Sequence, residues 1–227
     1  DYAVAMAKVD FPPGSQVVGL RGQITALQYM QQAEGLAPNA TGVARDDPTE
    51  RRRFVEEAVT AGLPVFLTQE VEGIGAQFSF SGDGPLVRVW PRGQAQPGTP
   101  STPLAWRAPQ ENLRLIGYDL FYLQQAGGPG LRLILYWLPE APQQRVLKLS
   151  LRVLDAAEAP LLVEDRFPLR QVARTTDWLP GEVVRDVHDL SLAPLPKGEP
   201  RSLLVIAYDA ASVEEIGRIL LPLPSAP

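Results

Sequence analysis

Hydrophobic and polar positions follow two different patterns, one in each half of the chain. Before about residue 92, apolar residues recur every three or four positions in two segments, and short apolar runs lie between these segments. After about residue 111, strand-like segments follow one another at regular intervals, separated by turn residues. The first pattern is typical of an α/β unit, whereas the second is typical of an antiparallel sandwich.

The first half contains predicted helices and strands in alternating order. The helices span residues 23–34 and 48–61, and the strands span 16–20, 41–44 and 64–68. Asp47 is predicted to cap the second helix, with Pro48 at its first position and Glu50 completing a capping-box pattern. This order of elements predicts a small parallel sheet with right-handed crossovers.

A hairpin and a connection separate the two halves. Two short strands flank the turn sequence SGDG within residues 76–92, and residues 93–110 are rich in Pro, Gly, Ser and Thr. The fold class predicted is therefore α/β plus all-β. A small α/β domain with a terminal hairpin at 1–92 and a Pro/Gly-rich connection at 93–110 precede an antiparallel β-sandwich, jelly-roll or immunoglobulin-like, at 111–227.

The strands of the second half differ in how many faces we expect them to bury. The segment VLKLSLRVL alternates cleanly, with one apolar face formed by Leu147, Leu149, Leu151 and Val153. Such a strand has one face toward water. The segments LRLILYWL and LLVIAY are apolar on both faces and should be central or covered. Residues 111–221 are predicted to be nearly free of helix.

Composition excludes several classes of function. The chain has 227 residues, 45% of them hydrophobic, and a net charge of −5 with no basic stripe, which argues against a nucleic-acid partner. It has no Cys and a single His, so a His/Cys metal site cannot be built, and we expect no cofactor. No apolar run approaches the roughly 18–20 residues of a membrane helix. The opening sequence DYAVAMAKVD suggests a piece excised from a larger protein.

Candidate catalytic and phosphate-binding motifs are incomplete. The loop Gly19-x-x-Gly22 joins a strand to a helix, but it differs from the GxGxxG spacing and no Walker lysine follows. His188 lies near Asp186 and Asp189, yet no GxSxG elbow supplies a serine nucleophile. The adjacent acids at 164 and 165 point to opposite faces of a strand, so they cannot act as a pair. The fragment itself is therefore predicted not to be an enzyme.

Trp178 and Asp177 are the candidate ligand-binding residues. Trp178 precedes Pro180 and Gly181 in the segment TTDWLPGEVVRD. An exposed indole face is a good platform for a sugar ring. A Trp beside Pro-Gly more often packs a corner of a sandwich, and both interpretations remain open at this point.

Several segments, in order, resemble a module found at the C-terminal end of bacterial membrane glycosyltransferases that depend on a phospholipid carrier, relatives of protein O-mannosyltransferases. The module's short motifs fall on Leu133/Leu135/Trp137, Asp165/Pro168, Thr175/Thr176/Trp178/Pro180/Gly181/Glu182, Asp186 and Tyr208/Asp209. The segment before the last of these lacks the Gly-Tyr pair often seen there. The first half resembles the stretch that precedes that module, so the resemblance covers nearly the whole chain.

The resemblance implies an extracytoplasmic location, tethered to the membrane through the parent protein. The catalytic acid of such enzymes is implied to lie in a region absent here. The expected role is to bind or position an acceptor, a glycan or a peptide, beside the membrane-embedded part of the same parent chain. The alternatives are a free-standing carbohydrate-binding or adhesion module and an α/β enzyme that uses the edge of the small sheet.

Overall fold

A computed structural model of the protein describes residues 2–108, 111–125, 127–193 and 199–224. Within them, helices are few and most regular structure is β-strand, in three sheets that are antiparallel or mixed. The α-helices are α1 (Tyr2–Ala7), α2 (Arg21–Glu34) and α3 (Pro48–Thr60). None of the described helices combines the length and hydropathy needed to span a bilayer.

The strands alternate with these helices only in the first half. They are β1 (Ser15–Gly19), β2 (Ala40–Ala44), β3 (Val65–Leu67), β4 (Phe78–Asp83), β5 (Leu86–Pro91), β6 (Thr102–Arg107), β7 (Leu113–Gln125), β8 (Gly128–Pro139), β9 (Leu147–Leu154), β10 (Pro160–Arg166), β11 (Val184–Ser191), β12 (Ser202–Asp209) and β13 (Glu215–Pro222). The described part of the second half has no α-helix, and its helical turns are the short segments Pro168–Gln171 and Thr175–Asp177.

The first sheet has the strand order β2-β1-β3-β5-β4. Strand β1 pairs in parallel with both β2 and β3, as the sequence predicts. Strand β5 pairs antiparallel with β3, and β4 pairs antiparallel with β5. The parallel sheet predicted for residues 1–92 is thus corrected to a mixed sheet, because the hairpin adds its strands to the open edge of β3.

Both predicted helices of the first half form, and the start of α3 follows the predicted signals. The Asp47 carboxylate accepts the backbone N–H of Glu50 at 2.9 Å, and Pro48 opens α3. Gly35 follows the last residue of α2 with φ of 64°, a left-handed conformation that glycine adopts at little steric cost. Val55 and Val59 bury the apolar stripe of α3 in the core.

The other two sheets are antiparallel. The second sheet has the order β11-β8-β7-β6, and the third has the order β10-β9-β12-β13. Strand β6 lies inside the segment predicted as a connection, 93–110, and pairs with β7 through an irregularity between Pro103 and Trp106. The predicted connection, 93–110, thus contains a strand, whose alternation of half-buried and exposed positions is limited to residues 103–107.

Apolar faces of all three sheets contribute to one large buried cluster. Strand β9 contributes its alternating positions, as predicted: Leu147, Leu149, Leu151 and Val153. From the first half, Val18, Val65 and Phe80 belong to the same cluster. Strand β8 is central in the second sheet, and its opposite face buries Ile134 and Tyr136 against Val187.

The first and second sheets meet where β4 passes β11, and each of these is an edge strand of its sheet. A Cβ atom at Gly82 would lie 3.0 Å from the backbone nitrogen of Val187, so a larger residue there would press against β11. The Arg185 guanidinium donates a hydrogen bond to the Gly82 carbonyl oxygen. The two halves of the chain are thereby joined at their edges as well as through the core.

Candidate functional site

A cleft of about 630 Å³ opens between helix α1 and the second sheet. We name it the α1 cleft and define it by six of its lining residues, Tyr2, Lys8, Asp83, Arg132, Arg170 and Asp189. Further parts of its wall come from the β4–β5 turn and the end of β7. Its size falls within the range of about 300–1,000 Å³ that is usual for small-molecule sites.

Arg132 and Asp189 form a two-bond ion pair in the wall of the cleft. The Arg132 Nε and Nη2 atoms donate to the two carboxylate oxygens of Asp189 at 2.6 and 2.7 Å. The two residues are direct partners in the ladder between β8 and β11. Hydrogen bonding to Asp189 raises the pKa of Arg132, because it favours the charged guanidinium. The pair is thus a fixed planar polar group.

Asp83, the last residue of β4, forms an acidic side of the cleft with Asp10. Burial raises the pKa of the Asp83 carboxyl, and the guanidinium groups of Arg185, Arg88 and Arg132 oppose this change. Asp10 raises the pKa of Asp83 further. The nearest ion-pair contact of Asp83 is 3.8 Å long and joins its Oδ1 atom to Arg185 Nη1.

Tyr2 and Arg170 form another part of the wall. The Arg170 Cζ atom lies 5.5 Å from the centre of the Tyr2 ring, within reach of a cation–π interaction. The Tyr2 hydroxyl donates to the backbone oxygen of Thr68 at 3.4 Å. Burial raises the pKa of Tyr2, and the charge of Arg170 opposes this increase. Tyr2 therefore remains a neutral phenol at physiological pH.

The turn that carries Arg170 has an unusual backbone. Leu169, Arg170 and Gln171 have φ angles of 48°, 52° and 65°. The N–H of Leu169 donates to Asp186 Oδ1 at 2.8 Å, and His188 Nε2 lies 2.7 Å from Asp186 Oδ2. A carboxylate only accepts hydrogen bonds, so Nε2 of His188 carries the hydrogen. This arrangement anchors the turn to β11.

The His188 and Asp186 side chains are 2% and 0% exposed, so they support the turn from inside the protein. Asp189, on the other side of His188 in sequence, binds Arg132 instead. Glu164 pairs with Arg166 rather than with its neighbour Asp165. Among the described residues, no group of three His, Cys, Asp or Glu side chains is placed to hold a metal ion.

The loop Gly19-x-x-Gly22 uses its first glycine for packing. A Cβ atom at Gly19 would meet the Thr68 hydroxyl at 2.2 Å. The N–H groups at the start of the turn into α2 have partners in the protein: Gln23 Oε1 accepts from Leu20, which precedes the helix, at 3.1 Å, and Asp46 Oδ1 accepts from Arg21, its first residue, at 2.8 Å. This geometry is that of an ordinary strand-to-helix turn.

The structure places Trp178 in the large core, where its side chain is 4% exposed. Its neighbour Asp177 is half-buried beside Gly75, and the Asp177 carbonyl oxygen accepts from Arg92 at 2.8 Å. A sugar platform requires an open indole face, which this conformation lacks. Neither residue lines the α1 cleft.

Other residues of the TTDWLPGE motif form internal hydrogen bonds. The Thr175 hydroxyl donates to the Arg145 carbonyl oxygen at 2.7 Å and accepts from the Leu147 N–H at 3.0 Å. The Glu182 carboxylate binds the Ser79 hydroxyl and the Ala95 N–H, and so ties β11 to the hairpin of the first sheet. The motif thus serves to join the parts of the fold.

The residues of the α1 cleft were missed by sequence reasoning because they come from distant segments. One signal was present, since Arg132 is the only charged residue in the otherwise apolar segment LRLILYWL. A charged side chain in a central strand needs a partner, and that requirement predicts a polar site. Its partner, Asp189, follows only from the register of β11 against β8.

Comparison with known proteins does not assign this chain to a family. No protein-family model matches it, and no curated protein matches it. Among solved structures, it is similar to a domain of the outer membrane lipoprotein Omp28 from Porphyromonas gingivalis, at 8% sequence identity and a TM-score of 0.29. That match covers 54% of this chain and 97% of the other.

Proposed function

We propose that this chain is a non-catalytic extracytoplasmic domain of a membrane glycosyltransferase-like protein, and that it binds or positions a glycan or peptide acceptor. In its finer architecture, we infer a small α/β domain followed by an antiparallel β-sandwich of jelly-roll or immunoglobulin-like type. The ordered motifs of the second half support the family assignment. The α1 cleft is the observation that carries the binding role.

The lining of the α1 cleft suits a sugar. Sugar hydroxyls both donate and accept hydrogen bonds, and the Arg132–Asp189 pair offers donors and acceptors in one fixed plane. The side-chain amides of Gln124 and Gln125 add groups of both kinds. Apolar residues such as Val4 and Pro85 complete the lining and can contact the ring carbons of a sugar.

A non-catalytic role is supported by the position of the groups that could transfer protons. The only His is held inside by Asp186, away from the cleft. The Arg132–Asp189 pair commits the Asp189 carboxylate to a guanidinium.

Binding can be tested by titrating the whole chain against a panel of oligosaccharides and short peptides. Ala5 lines the cleft, and Ala5→Trp is expected to fill it and to reduce binding at least tenfold. Ala33→Trp is the matched control, because Ala33 is exposed on α2, outside the cleft. The proposal fails if neither ligand class binds, or if both variants bind as the unaltered chain does.

Catalysis can be tested by incubating the chain with polyprenyl-phosphate sugars and candidate acceptors. No transfer product is expected from the chain alone. Turnover by the chain alone would show that it contains a catalytic site.

The tethered location can be tested on the gene from which the chain derives. Several membrane helices encoded upstream of this segment would support the proposal. A signal peptide alone would instead favour a free-standing carbohydrate-binding or adhesion module.

A further inference from the structure

The cationic residues of the α1 cleft differ in whether they have a partner. Arg132 is bound by Asp189, and Arg166, which also lines the cleft, is bound by Glu164. Arg170 forms no ion pair with any carboxylate in the described part of the chain, and its guanidinium lies over the Tyr2 ring. An exposed guanidinium in a cleft, with its donors unused, is suited to bind an anionic group.

Two acidic residues of the cleft have cationic partners of their own. Asp189 is bound by Arg132, and Asp83 lies 3.8 Å from Arg185. Arg170 instead packs over the Tyr2 ring, with its Cζ atom 5.5 Å from the ring centre. Its guanidinium is therefore open to an added anion.

The backbone that presents Arg170 is strained. Left-handed φ angles at three consecutive non-glycine residues, 169–171, are costly, and such conformations persist only where the surrounding structure imposes them. Here the surrounding structure is the buried Asp186, which accepts the Leu169 N–H, and the buried Leu169 side chain. Strain of this kind is concentrated at binding and catalytic sites, where it fixes the position of a side chain.

We propose that the α1 cleft binds a sugar that carries a carboxylate or a phosphate group, and that Arg170 binds this anionic group. The inference rests on the proposed function, which it deepens by naming the ligand class. Asp186 and the strained turn are positioning elements, since they hold Arg170 in place without touching the ligand. Lys8, exposed at the edge of the same cleft, adds positive charge that attracts an approaching anion.

The probes for this proposal are D-glucuronate, glucose 1-phosphate and glucose, titrated calorimetrically into the whole chain at low ionic strength. At least one of the two anionic sugars is expected to bind roughly ten times more tightly than glucose, because a hydrogen bond to a charged group contributes more than a neutral one. The comparison between the two anions decides whether a carboxylate or a phosphate is preferred. Added salt should weaken the binding.

Variants at position 170 separate the anion contact from the fold. Arg170→Ala is expected to lower the affinity for the anionic sugar about tenfold or more, and Arg170→Lys to restore part of it. Arg174→Ala is the matched control, because Arg174 follows the same turn, lies outside the cleft and contacts Glu70 at 3.8 Å. Its affinity should equal that of the unaltered chain.

A second pair of variants distinguishes a binding role of Arg170 from a purely structural one. Arg170→Gly and Arg170→Ala both lose the anion contact, but glycine relieves the strain at φ of 52°. The glycine variant is therefore expected to melt about 2–4 °C above the alanine variant, while both bind the anion equally poorly. A residue kept for stability alone would show no loss of binding in either variant.

The outcomes separate this inference from the proposed function. If neutral oligosaccharides bind in the cleft and neither anionic sugar binds more tightly than glucose, the proposed function stands and the anionic specificity is wrong. If anionic sugars bind equally to the unaltered chain and to Arg170→Ala, the role of Arg170 is wrong. If no sugar binds at all, the anionic-sugar proposal fails, and a bound peptide would then be the remaining support for the proposed function.

Discussion

Trp178 fills the corner between the turn Thr175–Asp177 and strand β11, with its indole ring in the core. We predict that Trp178→Ala lowers the free energy of unfolding by about 3–5 kcal/mol, because it removes a fully buried ring. Denaturant unfolding measures the change. Sugar binding, measured on the same samples while they are folded, should be unchanged.

Trp178→Phe is the control for this prediction. The indole N–H has no hydrogen-bond partner in the described structure, so phenylalanine removes no such bond and keeps most of the contact. It should destabilise less than alanine does. An unchanged melting temperature together with lost sugar binding would instead identify Trp178 and Asp177 as the binding site.

Asp83 predicts a specific dependence of stability on pH. Burial raises its pKa above the value of the unfolded chain, so the charged carboxylate destabilises the fold at neutral pH. As the pH falls through the raised pKa, the carboxyl gains a proton and this penalty disappears. We predict that Asp83→Asn melts above the unaltered chain at pH 7, and that the difference shrinks at acidic pH.

Melting temperatures of both proteins between pH 7 and pH 4 measure this effect. Asp155→Asn, on a surface turn where Asp155 accepts the Ala157 and Ala159 N–H groups, is the control for removing a carboxylate outside the cleft. A difference for Asp83→Asn that grows as the pH falls would contradict the assigned direction of the pKa change.

At the scale of the elements, α3 depends on its N-terminal cap. Asp47→Ala leaves the N–H of Glu50 without its acceptor and is expected to cost about 1 kcal/mol, or about 2–4 °C in melting temperature. Asp47→Ser should retain most of the stability. Glu57→Ala, which removes only an exposed pair with Arg53 at 3.9 Å, should change little. Equal effects of Asp47→Ala and Asp47→Ser would contradict the cap.

Local signals made α3 and β9 predictable, whereas β6 and the cleft depend on tertiary contacts. The cap at Asp47 and the alternation along β9 depend only on residues that are close in sequence. Strand β6 contains Pro103 and alternates only over Leu104 and Trp106, a pattern too short to predict a strand, and it pairs along the edge of β7. The Arg132–Asp189 pair follows from a strand register, and the position of Arg170 follows from a turn held by a residue on another strand.

At the scale of the whole molecule, the shared core predicts that the two halves unfold together. Val18 and Val65 of the first sheet lie in the same cluster as Leu133 of the second and Leu151 of the third. We predict a single calorimetric transition whose van't Hoff and calorimetric enthalpies agree. Two separated transitions would show that the halves are independent domains.

A fragment of the chain provides a second test of whether the two halves depend on each other for stability. Residues 1–92 alone would expose the face of α3 and β4 that the second half covers, so this fragment is expected to lack stable tertiary structure. Dispersion of its amide NMR signals tests this expectation. A well-dispersed spectrum would contradict it.

Gly82, which allows the first and second sheets to meet, is predicted to limit self-association as well. An edge strand with unpaired N–H and carbonyl groups can recruit a strand from another molecule, and β4 and β11 are both edges. Because no side chain stands at Gly82, each strand shields the other. A valine there would part them, and we expect light scattering to show oligomers before any large fall in the melting temperature. A residue without a side chain, in the hairpin of the first sheet, is thus expected to keep copies of the chain separate in solution.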